Sequence, residues 1–415
     1  MNGNAEQVET VIIGGGQSGL AMSYCLSQLG REHLVLEQAR VAERWRSERW
    51  DNFFFQFPNW SIKLPGYEYQ GDNPDGFAPG KEIVQLIESY AVFTKAPVRC
   101  GVRVTSVQES PKAGRYLVQA GDSTIEAVNV VLATGGYQEP AIPNISAGFS
   151  SKVFQIHSNR YRNPDQLPPG AVLVVGSGSS GCQIAEDLNW GGRKVYLSVG
   201  HHRRVPRRYR GRDHRFWSQS MGRLDATVDM LSSPAAKNAP EPLFTGVKGG
   251  YDIDMRRMAA DGVTLLGYLR DVRDGKLSLA ADLRERLAEG DQNYVNAKKS
   301  VDDYIRKNGI DAPDENRADE EAHDPREVSD PILELDLKAA EINSVIWCSG
   351  FRYNYGWVQL PLFDGTGEPV HRRGVTGCPG VYFLGLRWLY KLKSSFLSGM
   401  GEDAEYLADQ IDSRK

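Results

Sequence analysis

The sequence predicts an α/β fold made of two dinucleotide-binding, Rossmann-like units, the second inserted into a discontinuous first. Three observations predict it. An apolar strand runs into Gly-x-Gly-x-x-Gly and a helix near residue 14. The same arrangement recurs near residue 176. Strand patterns at 345–350 and 381–385 then return after the second unit. The expected division is 1–165 and 335–415 for the first unit and 166–334 for the second, with a charged, mostly helical insertion at about 210–330.

The first unit is the most complete. Residues 8–13 read as a short buried strand, and Gly14, Gly16 and Gly19 follow at once. Gly14 allows a tight turn, Gly16 lets the backbone approach a pyrophosphate, and Gly19 lets helix and strand pack closely. The helix start offers free N–H groups and a positive dipole end to phosphates. Leu20, Met22, Cys25, Leu26 and Leu29 recur at helical spacing, and Gly30 closes the helix. Residues 33–36 form the next strand, and Glu37 stands 23 residues after Gly14, where a carboxylate accepts from ribose hydroxyls.

Seven large aromatics fall between positions 45 and 60, from Trp45 to Trp60. They read equally as core or as the wall of a flavin ring. Residues 82–92 read as a helix, 98–107, 115–119 and 128–132 as strands, the last ending in Ala133-Thr134-Gly135.

In the second unit, residues 171–175 are a buried strand, and Gly176, Gly178 and Gly181 open a helix that ends at Gly191-Gly192. After its second strand, the position equivalent to Glu37 falls near Ser198, which carries no acid. Seven arginines then lie between 203 and 215 against the single Asp213. A missing acid with nearby arginines favours a 2′-phosphate over a bare hydroxyl. The first turn is therefore read as an FAD site and the second as an NADPH site. Residues 345–350 repeat the strand-then-small-residue pattern of 130–135, and 402–411 form a last helix. The run 314–330, with eight acids against Arg317 and Arg326, reads as an exposed loop.

Composition narrows the function. The chain has 415 residues, 40% hydrophobic and 25% charged, with a net charge of −4. That is an ordinary globular balance, and it speaks against nucleic acid as a partner. No apolar run approaches the ~20 residues of a membrane span. Five dispersed cysteines and a polar, acidic start predict a cytoplasmic protein. No CxxC pair exists, and neither His157 nor His201 and His202 have a ligand-like spacing, so no metal is expected.

Together these residues resemble the class B flavoprotein monooxygenases, above all bacterial flavin-containing monooxygenase-like proteins that carry a label linking them to potassium transport. The resemblance covers nearly the whole chain. It rests on Gly14–Gly19, Pro58-Asn59-Trp60, Ala133-Thr134-Gly135, Gly176–Gly181, the run Arg207-Arg208-Tyr209-Arg210-Gly211 and the tail Gly385-Leu386-Arg387-Trp388-Leu389. The family's linking motif FxGxxxHxxx(W/Y) is half present. His157 and Tyr161 stand at the right spacing, whereas Ser151 and Val153 occupy its phenylalanine and glycine positions. Where relatives carry an asparagine before x-Pro, this chain has Gln56, whose amide is the one catalytic candidate.

The resemblance implies that NADPH reduces FAD, that oxygen adds to give a C4a-hydroperoxide, and that one oxygen atom passes to nitrogen, sulfur or a carbonyl-adjacent carbon of a small molecule. The expected FAD contacts are Gly14, Gly16, Ser18, Gly19, Glu37, Gln38, Trp45, Val104, Ala133, Thr134, Gly135 and Gly385. For NADPH they are Gly176, Gly178, Ser179, Ser180, Gly181, Ser198, Arg203 and Arg204. Two alternatives stay open: a flavin NAD(P)H dehydrogenase or oxidase without oxygenation, and a nucleotide-binding redox sensor. A homodimer is also left open.

Overall fold

The computed structural model describes residues 5–315 and 322–414. The chain opens with β1 (Glu6–Ile13), α1 (Gln17–Gln28) and β2 (His33–Leu36). Next come α2 (Gly80–Thr94), β3 (Val98–Arg99), β4 (Val104–Glu109), β5 (Tyr116–Ala120) and β6 (Ser123–Leu132). These strands build one sheet in the order β3-β2-β1-β6-β5-β4. β1 is parallel to both β2 and β6, while β4, β5 and β6 form an antiparallel meander.

The chain then builds β7 (Phe154–His157), β8 (Ala171–Val175), α3 (Ser179–Trp190) and β9 (Val195–Ser198). α4 (His214–Ser220), β10 (Thr264–Leu266), β11 (Leu269–Arg273), β12 (Lys276–Leu279) and α5 (Leu283–Asn308) follow. β13 (Glu334–Asp336), β14 (Ile342–Trp347), β15 (Val381–Phe383) and α6 (Met400–Ser413) complete the fold. The second sheet runs β7-β14-β8-β9-β10, parallel throughout. Its central strand β8 is almost wholly buried, as a parallel strand covered on both faces must be.

Strand pairing corrects two expectations. The pattern at 345–350 does not return to the first sheet. As β14 it pairs with β7 and β8 in the second sheet, and β7, expected in the first unit, joins it there. Only β15 returns, beside β6, and α6 then packs Leu407, Ala408 and Ile411 into the first core. The physical reason is the duplication itself. β8 needs a neighbour on the side that β6 supplies to β1, and β14 is that neighbour. The expected boundaries at 165/166 and 334/335 therefore do not follow the sheets.

The segment 210–330 is also not mostly helical. It contains long irregular stretches, β10, and the β11–β12 hairpin that pairs with β13. Its charges on α5 mimic a helical pattern that the alternating Leu277 and Leu279 of β12 do not share. The acidic run is split: residues 316–321 lie outside the described residues, and a short helical turn covers Arg326–Ser329.

The aromatic stretch joins the two cores. Phe55 is buried in the first core, and Trp50 and Phe53 are buried in the second. Trp45 packs against both, with its ring 6.1 Å from Phe53 and 6.2 Å from Phe55.

Candidate functional site

The two glycine turns superpose in chemistry, residue by residue. At φ +117°, a Cβ on Gly14 would lie 2.6 Å from the carbonyl oxygen of Ala133; at φ +105°, one on Gly176 would lie 2.6 Å from that of Cys348. A Cβ on Gly19 would collide with the Gly14 carbonyl, and one on Gly181 with the Gly176 carbonyl. Ala133-Thr134-Gly135 after β6 and Cys348-Ser349-Gly350 after β14 thus play the same part, and Gly135 and Gly350 both have positive φ. Gly16 and Gly178 differ from these. Among the described residues, nothing lies within 4 Å of a Cβ on either. Each is the N-cap of its helix with no side chain satisfying the first N–H groups. An open glycine facing an uncapped helix start fits the pyrophosphate of a dinucleotide. Ser180, on the first turn of α3, is exposed beside this opening, whereas Ser18 is buried.

The ends of β2 and β9 carry the difference between the turns. Glu37 accepts the Gly15 N–H at 2.8 Å with one carboxylate oxygen and the Ala39 N–H at 2.9 Å with the other. Gly14 donates to the Leu36 carbonyl, and Gly176 to the Ser198 carbonyl. The counterpart of Glu37 is therefore Val199, one residue beyond the expected Ser198, and it is fully buried. Ser198 corresponds to Leu36. Its hydroxyl donates to the Gly267 carbonyl at 3.0 Å and accepts from the Leu269 N–H at 3.1 Å, so it braces β9 and is not free for a ribose. In the second turn the loop is tied from the other side: the Ser177 hydroxyl accepts the Gly200 N–H at 3.0 Å. Sequence counting slipped by one because no acid marks the strand end there.

Around the first turn, Trp45 donates to Gln17 at 2.6 Å. Gly385, at φ +81°, lies directly on the Ser18 hydroxyl, where a Cβ would collide with it. Thr134 accepts from Gln138 at 3.0 Å. Gln38 is exposed at the mouth beyond Glu37. Val104 starts β4, two residues after Val102 donates to the Glu37 carbonyl. Around the second turn, the Ser179 hydroxyl accepts the Phe244 N–H at 3.1 Å and pins segment 242–244 to the start of α3.

The two arginines expected at a 2′-phosphate separate. Arg204 is saturated: it pairs with Asp254 at 2.7 Å and Asp291 at 3.1 Å and stacks over Tyr294 at 4.4 Å. Those acids lie 50 and 87 residues further along the chain, so no local pattern points to them. Arg203 is exposed, and its side chain makes no hydrogen bond or ion pair among the described residues.

Gln56 sits between buried Phe55 and half-buried Phe57. Its backbone carbonyl accepts from Arg207 Nη1 at 2.7 Å. Arg207 is 2% exposed, pairs with Asp213 at 2.8 Å and lies over the rings of Phe77 and Phe244. Arg207 is thus a positioning residue that sequence reasoning left within a basic run. Its burial, visible only in three dimensions, is what distinguishes it. His157 and Tyr161 also act as braces. His157 Nε2 is 2.9 Å from the Gly350 carbonyl, which ties β7 to the loop after β14. The Tyr161 hydroxyl donates to Asp187 of α3 at 2.6 Å, and Asn52 donates to the other Asp187 oxygen at 2.7 Å.

A cavity of about 300 Å³ is lined by segments that contact the two turns. One wall is Pro242 and Phe244, the segment held by Ser179. Another is Arg387 and Trp388, just after the Gly385 that covers Ser18, and Phe57 reaches in from the loop of Gln56.

Residues 11–212 match the family model described as pyridine nucleotide-disulphide oxidoreductase. A CzcO-like oxidoreductase of Geobacillus kaustophilus, itself uncharacterised, is 31% identical over 407 residues, which is 97% of this chain and 98% of the relative. Indole-3-pyruvate monooxygenase YUCCA1 of Oryza sativa is 30% identical over 191 residues, 46% of this chain and 47% of the relative. Among solved structures, a flavin-containing monooxygenase of Stenotrophomonas maltophilia shares the fold at a TM-score of 0.65 and 20% identity, over 98% of this chain and 99% of that one. OTEMO in complex with FAD and NADP shares it at a TM-score of 0.57 and 15% identity, over 99% of this chain and 86% of that one.

Proposed function

The chain belongs to the family of CzcO-like oxidoreductases, and from that premise we propose that it is an FAD-dependent, NADPH-consuming monooxygenase that passes one atom of molecular oxygen to a small organic substrate. The observation that carries this reading is the cavity walled by segments fixed to both glycine turns. FAD on the first turn and NADPH on the second supply hydride transfer and oxygen activation, chemistry that no side chain provides. The named relatives and neighbours, an indole-3-pyruvate monooxygenase and a structure holding FAD and NADP among them, support the same assignment.

The chain's own residues bind, orient and exclude water. Glu37 closes the first turn and presents a carboxylate to a ribose, while open Gly16 and Gly178 admit the phosphates. The absence of an acid at Val199, with Arg203 unpaired nearby, supports NADPH over NADH. Arg207 fixes the path of the Gln56 loop. The Gln56 amide makes no hydrogen bond among the described residues, so its N–H would be free to donate to a negatively charged group held beside the loop. Phe244 and Phe396 pack against Phe57, their ring centroids 5.6 and 5.5 Å from it, and exclude water beside the Gln56 loop.

The test is turnover under isotopically labelled oxygen gas. Purified protein should be yellow, bleach with NADPH in the absence of oxygen, and place one labelled atom in the product. Quantitative hydrogen peroxide with no labelled product, whatever acceptor is supplied, would leave an oxidase. No bleaching by NADPH would leave a nucleotide-binding sensor.

A further inference from the structure

The lining of the cavity is unusual in its charge. Four arginines face it, Arg203, Arg215, Arg223 and Arg387, against one acid, Glu241. Glu241 is already engaged, accepting from Arg387 Nη2 at 2.8 Å. Neither Arg203 nor Arg223 makes a side-chain hydrogen bond or ion pair among the described residues. Arg215 is 4% exposed, and its Nε is buried with no hydrogen-bond partner among the described residues. Its guanidinium lies over Phe57 at 4.8 Å and Phe396 at 5.2 Å, and its Nη2 donates to Ser398 at 2.5 Å. His214 adds no charge of its own. Burial, with Arg223, Arg203 and Arg207 nearby, pushes it down to about 3, so it stays neutral at physiological pH.

Arg215 is the buried member of this set, and the acid beside it, Asp213, already pairs with Arg207. A buried cation that shares its counter-charge is costly, and the cost falls when a ligand brings another anion. Guanidinium groups match carboxylates in planar, charge-assisted pairs. The remaining wall is apolar and aromatic, including Phe244, Trp388 and Leu392. A volume of about 300 Å³ is at the small end of ligand pockets.

We propose that this cavity is the acceptor site of the enzyme and that it selects a small aromatic carboxylic acid, its carboxylate held by Arg215 and Arg223 and its ring seated among Phe57, Phe244 and Trp388. The role as acceptor rests on the monooxygenase reading; the binding of the acid does not. The same field repels protonated amines, so amine cations are excluded from the site. An anion of a different source, the 2′-phosphate of NADPH, shares the chemistry and is separated by the test.

Isothermal titration of the purified, flavin-loaded protein uses three probes: phenylacetate, its neutral analogue phenylacetamide, and adenosine 2′,5′-bisphosphate, the phosphorylated half of NADPH. Phenylacetate should bind at least about tenfold more tightly than phenylacetamide, the scale of one charge-assisted contact. Arg223→Gln should weaken phenylacetate about tenfold and leave phenylacetamide and the bisphosphate unchanged. Arg223→Lys, which keeps the charge, should recover part of the loss. Equal binding of acid and amide, or no binding of phenylacetate, overturns the proposal. So does an Arg223→Gln variant that weakens the bisphosphate and spares phenylacetate, because the arginines would then serve the nucleotide. Failure of oxygen transfer shows only in turnover, so the two readings fail separately.

Discussion

At Gln56 the backbone and the side chain have separate duties. The carbonyl is held by Arg207, and Arg207 is in turn held by Asp213, so the path of the loop does not depend on the side chain. Gln56→Leu keeps most of the volume and removes the amide. FAD content and NADPH consumption should survive. Hydrogen peroxide formed per NADPH consumed should rise, because one lost donor to developing negative charge costs roughly 3 kcal/mol. An unchanged peroxide ratio in the variant would reduce Gln56 to loop packing.

At the scale of the element, α3 does more than start at a phosphate site. Asp187 ties it to Tyr161 and Asn52, so the helix is anchored to both the segment after β7 and the aromatic loop. Its sequence neighbour Glu186 is held in an awkward place. Burial pushes its carboxyl up to about 7, only partly offset by the Tyr251 hydroxyl that donates to it at 2.9 Å. The folded state therefore holds this proton more tightly than the unfolded chain, whose ordinary value is 4.5. Stability should fall as pH rises between those two values and level off above the higher one. Glu186→Gln removes the charge and keeps an acceptor for Tyr251. It should be more stable than the parent by up to about 2–3 kcal/mol at pH 8 and by little at pH 4.5. Denaturant midpoints of both proteins at the two pH values check this; a difference that does not grow with pH refutes it.

For the whole molecule, the fold separates two equivalent glycine turns, and the cofactors proposed for them should be lost one at a time. Gly16 and Gly178 have ordinary extended backbone, φ −84° and −70°, and open space around a Cβ. A valine at either position should fold, yet occupy the place of a phosphate. Gly16→Val should purify colourless with unchanged secondary structure by circular dichroism. Gly178→Val should stay yellow but fail to bleach with NADPH. If both variants lose flavin, or if neither loses its expected cofactor, the assignment of the turns is wrong. Gly14→Val and Gly19→Val make the contrast, because their side chains meet backbone and should destabilise the fold itself.

The two turns, their helices and Glu37 were legible in the sequence because they are local: a strand, three glycines, a helical period and an acid at the next strand end lie within about thirty residues. The pattern shared by 130–135 and 345–350 was legible too. Which sheet the second copy joins was not, because parallel pairing is set by which neighbour a buried central strand lacks. The slip from Val199 to Ser198 has the same origin, since register is fixed by hydrogen bonds between strands. Arginine counts could be read from the sequence, but not their duties. Arg204 meets Asp254 and Asp291, Arg207 holds Gln56, and Arg203, Arg215 and Arg223 converge on one cavity with Arg387. These partners are dozens to nearly two hundred residues apart, and only the packing of the two sheets decides which positive charges are neutralised and which are left for a ligand.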